Sequence, residues 1–184
     1  MHDYYQQLKK ESFHLHKKLD QLPLMKRLLS DAVKLEDYFM FLTGHLFVYQ
    51  ELNKTKNDSF LSARIDQLEK DLFELTKKTQ FTFPKGIAFS SSNHACFLVG
   101  VNYVLEGGRH GAVFIIKHLK KSIPALAKHS FNFLNYSSER SWEGITKEIE
   151  VFAEQDYTSL LSGVNHTYQL FIDTFTEIEE QQSK

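Results

Sequence analysis

The sequence predicts an all-α single domain of about seven or eight helices. Apolar residues recur at helical spacing along most of the 184 residues, and the sustained alternation typical of strands is absent. Only three prolines and eight glycines interrupt the chain, as expected for long helices joined by few turns. With 42% hydrophobic residues, a chain of this length can bury a substantial core, and we expect one domain over residues 1–184.

Four helices are predicted in the first half of the chain. Pro23 suits the first turn of the second helix, because its fixed φ fits a helix start and its missing N–H is not needed there. A polar turn is expected over residues 54–58, and Asp58 or Ser59 is placed to cap the fourth helix. By apolar spacing, the four helices cover residues 4–19, 24–29, 35–52 and 60–79.

The second half is predicted to contain a long glycine-bearing helix and two C-terminal helices. A loop over residues 81–92 leads into the glycine-bearing helix, and residues 91–93 are expected to cap it. Ser141 is placed to cap the first C-terminal helix, and the polar tail over residues 179–184 is expected to fray. The helices are predicted at residues 95–119, 142–153 and 156–180, with a short helix at 125–129 and an aromatic loop at 131–138.

Composition and charge exclude several functional classes. A net charge of −1 gives no reason to expect nucleic-acid binding. No apolar run reaches the roughly 18 residues of a membrane span, and the first residues lack a signal-peptide pattern, so we expect no membrane insertion. The single cysteine, Cys96, excludes an internal disulfide and fits a reducing compartment. We therefore expect a soluble, cytoplasmic protein.

Glycines interrupt the predicted helix at residues 95–119. Gly107, Gly108 and Gly111 are close together, and each glycine in a helix interior costs up to about 1 kcal/mol relative to alanine. Such a concentration predicts a kink, or a face where something approaches the backbone. Gly107 and Gly111 are one turn apart and share one bare face. That face suits either close packing against another helix or the approach of a flat ligand.

His16 is the first candidate for a metal ligand. It lies on the apolar side of the first predicted helix, and Asp20 follows one turn later on the same face. The carboxylate can accept the Nδ1 proton and leave Nε2 free to bind a metal. A core or surface histidine without a ligand is the alternative, and His14 is expected to face solvent. The sequence contains no zinc, di-iron, nucleophile-elbow or P-loop motif.

Two stretches of the chain resemble bacterial heme oxygenases. LKKESFHLHKKLDQLPLMKRL is similar to the first helix of that family, with these residues in register: Leu8, Lys9, Ser12, His16, Leu19, Asp20, Pro23 and Leu24. YVLEGGRHGA is similar to the family's glycine-bearing helix at these positions: Tyr103, Val104, Glu106, Gly107, Gly111 and Ala112. Trp142 and the later segment VNHTYQLFIDTF also fit, so the resemblance spans nearly the whole chain.

The resemblance implies a heme oxygenase-like helical bundle that binds heme as both substrate and cofactor. His16 would be the proximal iron ligand with Asp20 as its partner, and Gly107 and Gly111 would lie over the distal face of the porphyrin. In the family, dioxygen and electrons convert heme to biliverdin, carbon monoxide and ferrous iron. Because the heme supplies the reaction chemistry, no protein general base is expected.

Other residues would complete such a site. Lys9, two turns before the candidate ligand, is the first candidate partner for a heme propionate, with Lys17 and Lys18 as alternatives. Each of these lysines also suits a solvated helix face. Tyr168 and the aromatic residues that follow it on the last helix could line the pocket edge or belong to the core.

Two positions depart from the family pattern. Gly108 replaces a usual serine, which removes one polar contact near the distal pocket, and His110 stands at a usually apolar position. His110 could hydrogen-bond a distal water, ligate the iron, or point into solvent beside Arg109. If His110 ligates the iron, the chain is a non-catalytic heme binder or sensor. A heme-free protein on this scaffold, such as a different metal-dependent oxidase or an interaction module, is the remaining alternative.

The end of the glycine-bearing helix is basic. The residues concerned are Lys117, His118, Lys120, Lys121 and Lys128. Heme oxygenases need an electron donor, and a basic surface could attract an acidic one such as a ferredoxin or a reductase. Lysines at this place also fit an ordinary helix C-terminus, where they complement the helix dipole.

Overall fold

The computed structural model describes residues 3–56, 59–77, 83–89, 92–136 and 141–182, and its all-α architecture confirms the predicted fold class. The α-helices are α1 (Tyr4–Asp20), α2 (Pro23–Leu28), α3 (Leu35–Lys56), α4 (Ser59–Thr76), α5 (Ala95–Gly107), α6 (Ala112–Ser122), α7 (Asn132–Asn135) and α8 (Trp142–Gln182). The 3₁₀ turns Gly108–Gly111 and Pro124–Leu126 follow α5 and α6. Within the described residues, no helix is both long and apolar enough to cross a membrane.

The helices predicted in the first half are present with small shifts at their ends. α3 continues to Lys56, so the first part of the turn predicted at 54–58 is helical. α4 ends at Thr76, before the predicted residue 79, and the next residue, Lys77, takes a left-handed φ of 58° that a helix cannot continue. Asp58, one of the two expected caps of α4, lies outside the described residues.

Three details of the second half differ from the prediction. The N-cap of α5 is His94, which makes no side-chain capping bond, and Ser92 instead accepts a hydrogen bond from the N–H of His94. The helix predicted at 125–129 is only the 3₁₀ turn Pro124–Leu126. The expected aromatic loop contains the single turn of α7, which begins after Phe131 reverses the chain with a φ of 52°.

α8 consists of the two predicted C-terminal helices joined end to end. Ser141 caps its start as expected, with Oγ accepting from the N–H of Gly144 at 3.0 Å. Asp156 has a non-helical φ of −160°, and its carboxylate accepts hydrogen bonds from the N–H and the hydroxyl of Ser159. Asp156 therefore acts as an N-cap inside α8. The second part remains helical to Gln182, through most of the tail that was expected to fray.

α5 and α8 cross closely at two glycines. A Cβ atom at Gly100 would lie 2.1 Å from the carbonyl oxygen of Leu160, and one at Gly163 would lie 2.0 Å from the carbonyl oxygen of Phe97. Both contacts are with backbone, which cannot move aside as a side chain can. The two positions therefore require glycine, and the crossing holds α8 against α5.

A buried carboxylate on α4 holds the segment that contains α7. Asp71 accepts hydrogen bonds from the N–H groups of Asn132 at 2.7 Å and Phe133 at 2.9 Å. Beside it, the ring of His129 lies with Nε2 3.5 Å from Asp71 and Nδ1 3.0 Å from Glu74. These contacts bring the ring of Phe133 into the core next to α3.

Candidate functional site

A cavity of about 580 Å³ lies between α1, α3, α8 and the bend that joins α5 to α6. Its volume is within the range of roughly 300–1,000 Å³ that is common for small-molecule sites. The first-choice candidates of the sequence for catalysis, heme binding and metal binding line it: Lys9, His16, Asp20, Gly107, His110, Gly111 and Tyr168. The fold thus brings these residues together from three distant parts of the chain.

His16 and Asp20 form the predicted pair on α1. Nδ1 of His16 lies 3.0 Å from Oδ2 of Asp20. When Nδ1–H donates to the carboxylate, Nε2 is unprotonated and its lone pair is available to a metal. The imidazole also packs edge-on against the ring of Tyr168, with centroids 6.0 Å apart. Because the two paired side chains are 54% and 58% exposed, the pair adds little stability, and its main effect is to orient the ring.

The bare face predicted on the glycine-bearing helix is a wall of this cavity. A Cβ atom at Gly107 would meet only Trp142, at 3.6 Å, and one at Gly111 would meet only Ile115, at 3.9 Å. Both distances are ordinary contacts, and a Cβ at Gly108 would meet nothing within 4 Å. Close helix packing is therefore not the reason for these glycines, in contrast to the pair at the α5–α8 crossing. The wall is open to a ligand, and the helix bends there through a 3₁₀ turn.

His110 is exposed and rests on an aromatic neighbour. Its ring meets that of Trp142 at 90°, with centroids 4.8 Å apart. Trp142 in turn contacts Tyr5 and Tyr103, so an aromatic cluster forms this side of the cavity. Arg109 does not accompany His110 into solvent, because its guanidinium pairs with the buried carboxylate of Glu106. His110 thus has one face on Trp142 and also lines the cavity.

Only one of the three lysines considered as propionate partners lines the cavity. Lys9 lines the cavity, whereas Lys17 and Lys18 do not. Nζ of Lys17 instead lies over the ring of Phe13, 5.3 Å from its centroid. Among the three lysines considered, Lys9 is the one that the geometry favours.

Tyr168 belongs both to the core and to the cavity wall. Its side chain is buried on α8, and burial raises the pKa of its hydroxyl, which therefore stays protonated. Phe171 and Phe175 follow it along α8, and both are buried and line the cavity. The aromatic stripe therefore belongs to the core and also lines the cavity, and its part in binding a cofactor stays a prediction.

Sequence reasoning missed three polar residues that line the cavity from α3 and α4, namely His45, Tyr49 and Arg64. The sequence does contain an indication that the arginine is unusual. Arg64 falls between Leu61 and Leu68 on the apolar stripe of α4, where a charged residue is rarely buried without a partner. The spacing was interpreted only as a core stripe, so the charged position within it was overlooked.

His45 lies inside an aromatic cage. Its Nδ1 is 2.8 Å from the carbonyl oxygen of Phe41, and because a carbonyl can only accept, the proton is on Nδ1. The rings of Phe133, Phe171 and Phe175 surround the imidazole at centroid distances of 5.2 to 5.4 Å. Burial lowers the pKa of His45 to about 4, so the ring is neutral near pH 7.

Exposed apolar side chains mark the mouth of the cavity. Phe13, Leu29 and Phe114 line it while remaining 51%, 60% and 76% exposed. Large exposed apolar side chains grouped around an opening are typical of a ligand-binding groove. A ligand that filled the cavity and protruded from it could cover them.

The basic end of the glycine-bearing helix is only partly as predicted. Lys117, Lys120, Lys121 and Lys128 are exposed. His118 is half-buried, and its Nε2–H donates to the carbonyl oxygen of Ser30 at 3.0 Å. This histidine therefore ties α6 to the segment after α2, and the basic surface consists of the lysines.

The cavity as a whole fits a flat, mostly apolar ligand that carries a metal and an anionic edge. A histidine nitrogen is available for coordination, a bare glycine wall leaves room beside the ligand plane, and Lys9 offers a positive charge. A heme has these properties, so the residues present fit it.

The comparison with known protein families agrees with this fit. The family model described as Heme oxygenase matches residues 2–177, which is almost the entire chain. No curated protein matches the chain.

Proposed function

Because this chain belongs to the heme oxygenase family, we propose that it binds heme in this cavity and cleaves it with dioxygen to biliverdin, carbon monoxide and ferrous iron. The observation that carries the proposal is that one cavity is lined both by a histidine oriented for coordination and by glycines that no protein contact requires. The proposal treats the whole chain as one catalytic domain that acts in the cytoplasm.

In this proposal, His16 binds the heme iron through Nε2 while Asp20 holds its tautomer and ring orientation. Bound heme supplies the redox chemistry of the reaction. Gly107 and Gly111 leave room over the porphyrin for dioxygen, because no side chain projects from either position. Lys9 pairs with a propionate at the edge of the ligand.

The aromatic walls have a role in the same proposal. Tyr168 packs against the candidate iron ligand, and Phe171 and Phe175 line the cavity beside it. These rings exclude bulk water, which protects reactive states from unwanted proton leakage. Tyr168 keeps its hydroxyl proton and can donate a hydrogen bond.

Electrons must come from a partner, and we propose an acidic carrier such as a ferredoxin or its reductase. The exposed lysines of α6 and the following turn support this choice, because opposite charges steer association. Lys117 and Lys121 are one turn apart and therefore share a face of α6.

A second candidate function is heme binding without cleavage. It is favoured by His110, which lies in the 3₁₀ turn Gly108–Gly111, lines the same cavity and would be the second histidine ligand. Ligation by two histidines would leave no coordination position for dioxygen.

Turnover of the hemin complex separates the two candidates. The complex is mixed in air with a ferredoxin reductase system, with catalase present so that free peroxide cannot destroy heme. We expect the Soret band to decay into the absorption of biliverdin, with about one carbon monoxide released per heme. A stable six-coordinate low-spin spectrum without product, which converts to turnover in His110→Leu, would instead establish the non-cleaving heme binder.

A further inference from the structure

The cavity contains a buried cation on the side formed by α3 and α4. Arg64 is only 3% exposed and lines the cavity. Its Nη1 donates to the carbonyl oxygen of Phe133 at 3.0 Å, and its buried Nε has no acceptor. Glu106, a buried carboxylate, pairs with Arg109. Among the described residues, Arg64 forms no ion pair.

Aromatic rings compensate only part of this charge. The guanidinium lies over the ring of Phe133 at 4.4 Å, and near those of Tyr136 at 5.3 Å and Tyr49 at 5.8 Å. Cation–π contacts are weaker than a charge-assisted hydrogen bond to an anion. A buried positive charge without a counter-ion is unfavourable, so its surroundings favour an anion that enters from the cavity.

A neutral histidine contacts the same phenylalanine, Phe133. The ring of His45 packs 5.2 Å from that of Phe133, and both it and Arg64 line the cavity. Because Nδ1–H of His45 donates to the backbone, Nε2 carries a lone pair and can accept a hydrogen bond. Burial and the nearby charge of Arg64 both keep this ring neutral, so it does not compete with Arg64 as a cation.

We propose that Arg64 anchors a small planar monoanion of the carboxylate type, with formate as the simplest example, in the α3–α4 end of the cavity. A guanidinium binds such an ion through parallel hydrogen bonds. The hydroxyl of Tyr49 can donate to the ion, whereas His45 is a neutral neighbour whose Nε2 offers it no hydrogen bond and whose ring reports its presence. Phe171 and Phe175 restrict the ion to a few atoms. The site exists in the heme-free protein, so this inference does not depend on heme binding.

The test is a formate titration of the heme-free protein, in which formate replaces chloride at constant ionic strength. The imidazole resonances of His45 are followed by NMR. We expect a saturable shift in the unchanged protein, because formate fits the guanidinium better than spherical chloride does. Lys26→Gln is the matched control, since it removes one exposed positive charge that does not line the cavity, and it should titrate with the same midpoint.

Variants of Arg64 decide whether that residue is the anchor. Arg64→Met should raise the formate midpoint at least about tenfold, and it should fold, because replacing a buried charge by an apolar side chain of similar length is often tolerated. Arg64→Lys keeps the charge without the planar donor edge and should bind more weakly than the unchanged protein. No saturable shift in the unchanged protein, or a midpoint in Arg64→Met equal to that of the unchanged protein, would overturn the proposal.

Discussion

At the scale of single residues, the histidines differ in what their ring nitrogens contact. Nδ1 of His16 faces a carboxylate, whereas the ring of His14 donates to the carbonyl oxygen of Glu11 on the exposed side of α1. A carboxylate behind Nδ1 is the usual arrangement of a histidine that ligates a metal through Nε2. Of these two histidines of α1, His16 is therefore the one oriented as a ligand, and His14, two residues away, is its natural control.

The pH dependence of stability tests the buried histidine. The pKa of His45 falls from 6.5 to about 4 on folding, so the unfolded chain binds the proton more readily. Its contribution to stability is therefore complete above pH 6.5 and is lost as the pH falls towards 4. Between pH 7 and pH 5 we expect this residue alone to lower the free energy of unfolding by about 2 kcal/mol.

Urea unfolding at these two pH values measures that effect. His45→Leu should lose less stability than the unchanged protein on going from pH 7 to pH 5, by about the same 2 kcal/mol. Comparing the two proteins removes the contributions of other groups whose pKa shifts on folding, including the carboxylates of Asp71 and Glu74. Equal losses in both proteins would show that His45 is not buried as a neutral ring.

At the scale of helices, glycines on α5 and in the turn after it serve two different purposes. Gly100, with Gly163 on α8, permits two backbones to approach, whereas Gly107 and Gly111 face open cavity. The two kinds of glycine differ in the atoms that an added Cβ would contact, and the spacing of glycines in the sequence does not reveal those contacts. The same small-residue pattern can therefore denote helix packing at one place and a ligand wall at another.

Alanine substitutions distinguish these purposes. Gly100→Ala and Gly163→Ala each force a Cβ atom into backbone, and we expect them to lower the free energy of unfolding by about 1–3 kcal/mol or more. Gly108→Ala meets open space in a helical conformation and should be neutral or stabilising by up to about 1 kcal/mol. Thermal and urea unfolding of the heme-free proteins measures both effects, and a stable Gly163→Ala would contradict the close crossing.

Gly107→Ala separates stability from ligand binding. Its Cβ atom would make only ordinary contacts, so the heme-free protein should remain as stable as the unchanged one. In the proposed complex the same atom intrudes between backbone and porphyrin, and we expect hemin affinity to fall about tenfold or more. Hemin titration beside urea unfolding measures the two quantities, and unchanged affinity would argue against a heme plane at this wall.

At the scale of the whole molecule, apolar periodicity predicted the helices, and the resemblance to a known family predicted which residues share the cavity. Periodicity could not foresee the shortened end of α4 or the turn of α7, because both depend on single left-handed residues, Lys77 and Phe131. Periodicity also missed Arg64, because only the apolar residues of α4 were counted and the arginine among them was not considered. Whether Arg64 is buried depends on how α4 packs against the other helices, and the spacing of apolar residues within α4 does not show this.

The charge distribution over the surface determines the expected partner. The double variant Lys117→Glu, Lys121→Glu should lower kcat/KM with an acidic ferredoxin about tenfold at low salt, because it reverses charge on one face of α6. Turnover with ascorbate, a small reductant, should change little. Lys70→Glu, a single charge reversal on a different helix, α4, should behave like the unchanged protein. An equal loss with ascorbate would mean that the substitutions damage the site itself.

Hemin titration of three proteins tests the central claim most directly, namely that His16 holds heme iron in this cavity. The unchanged protein and His14→Ala should give the same stoichiometric Soret band. His16→Ala should give a weakened or shifted band that added imidazole restores, since free imidazole can occupy the vacated position. If His16→Ala binds hemin with the spectrum and affinity of the unchanged protein, the iron has a different ligand and the account of this cavity is wrong.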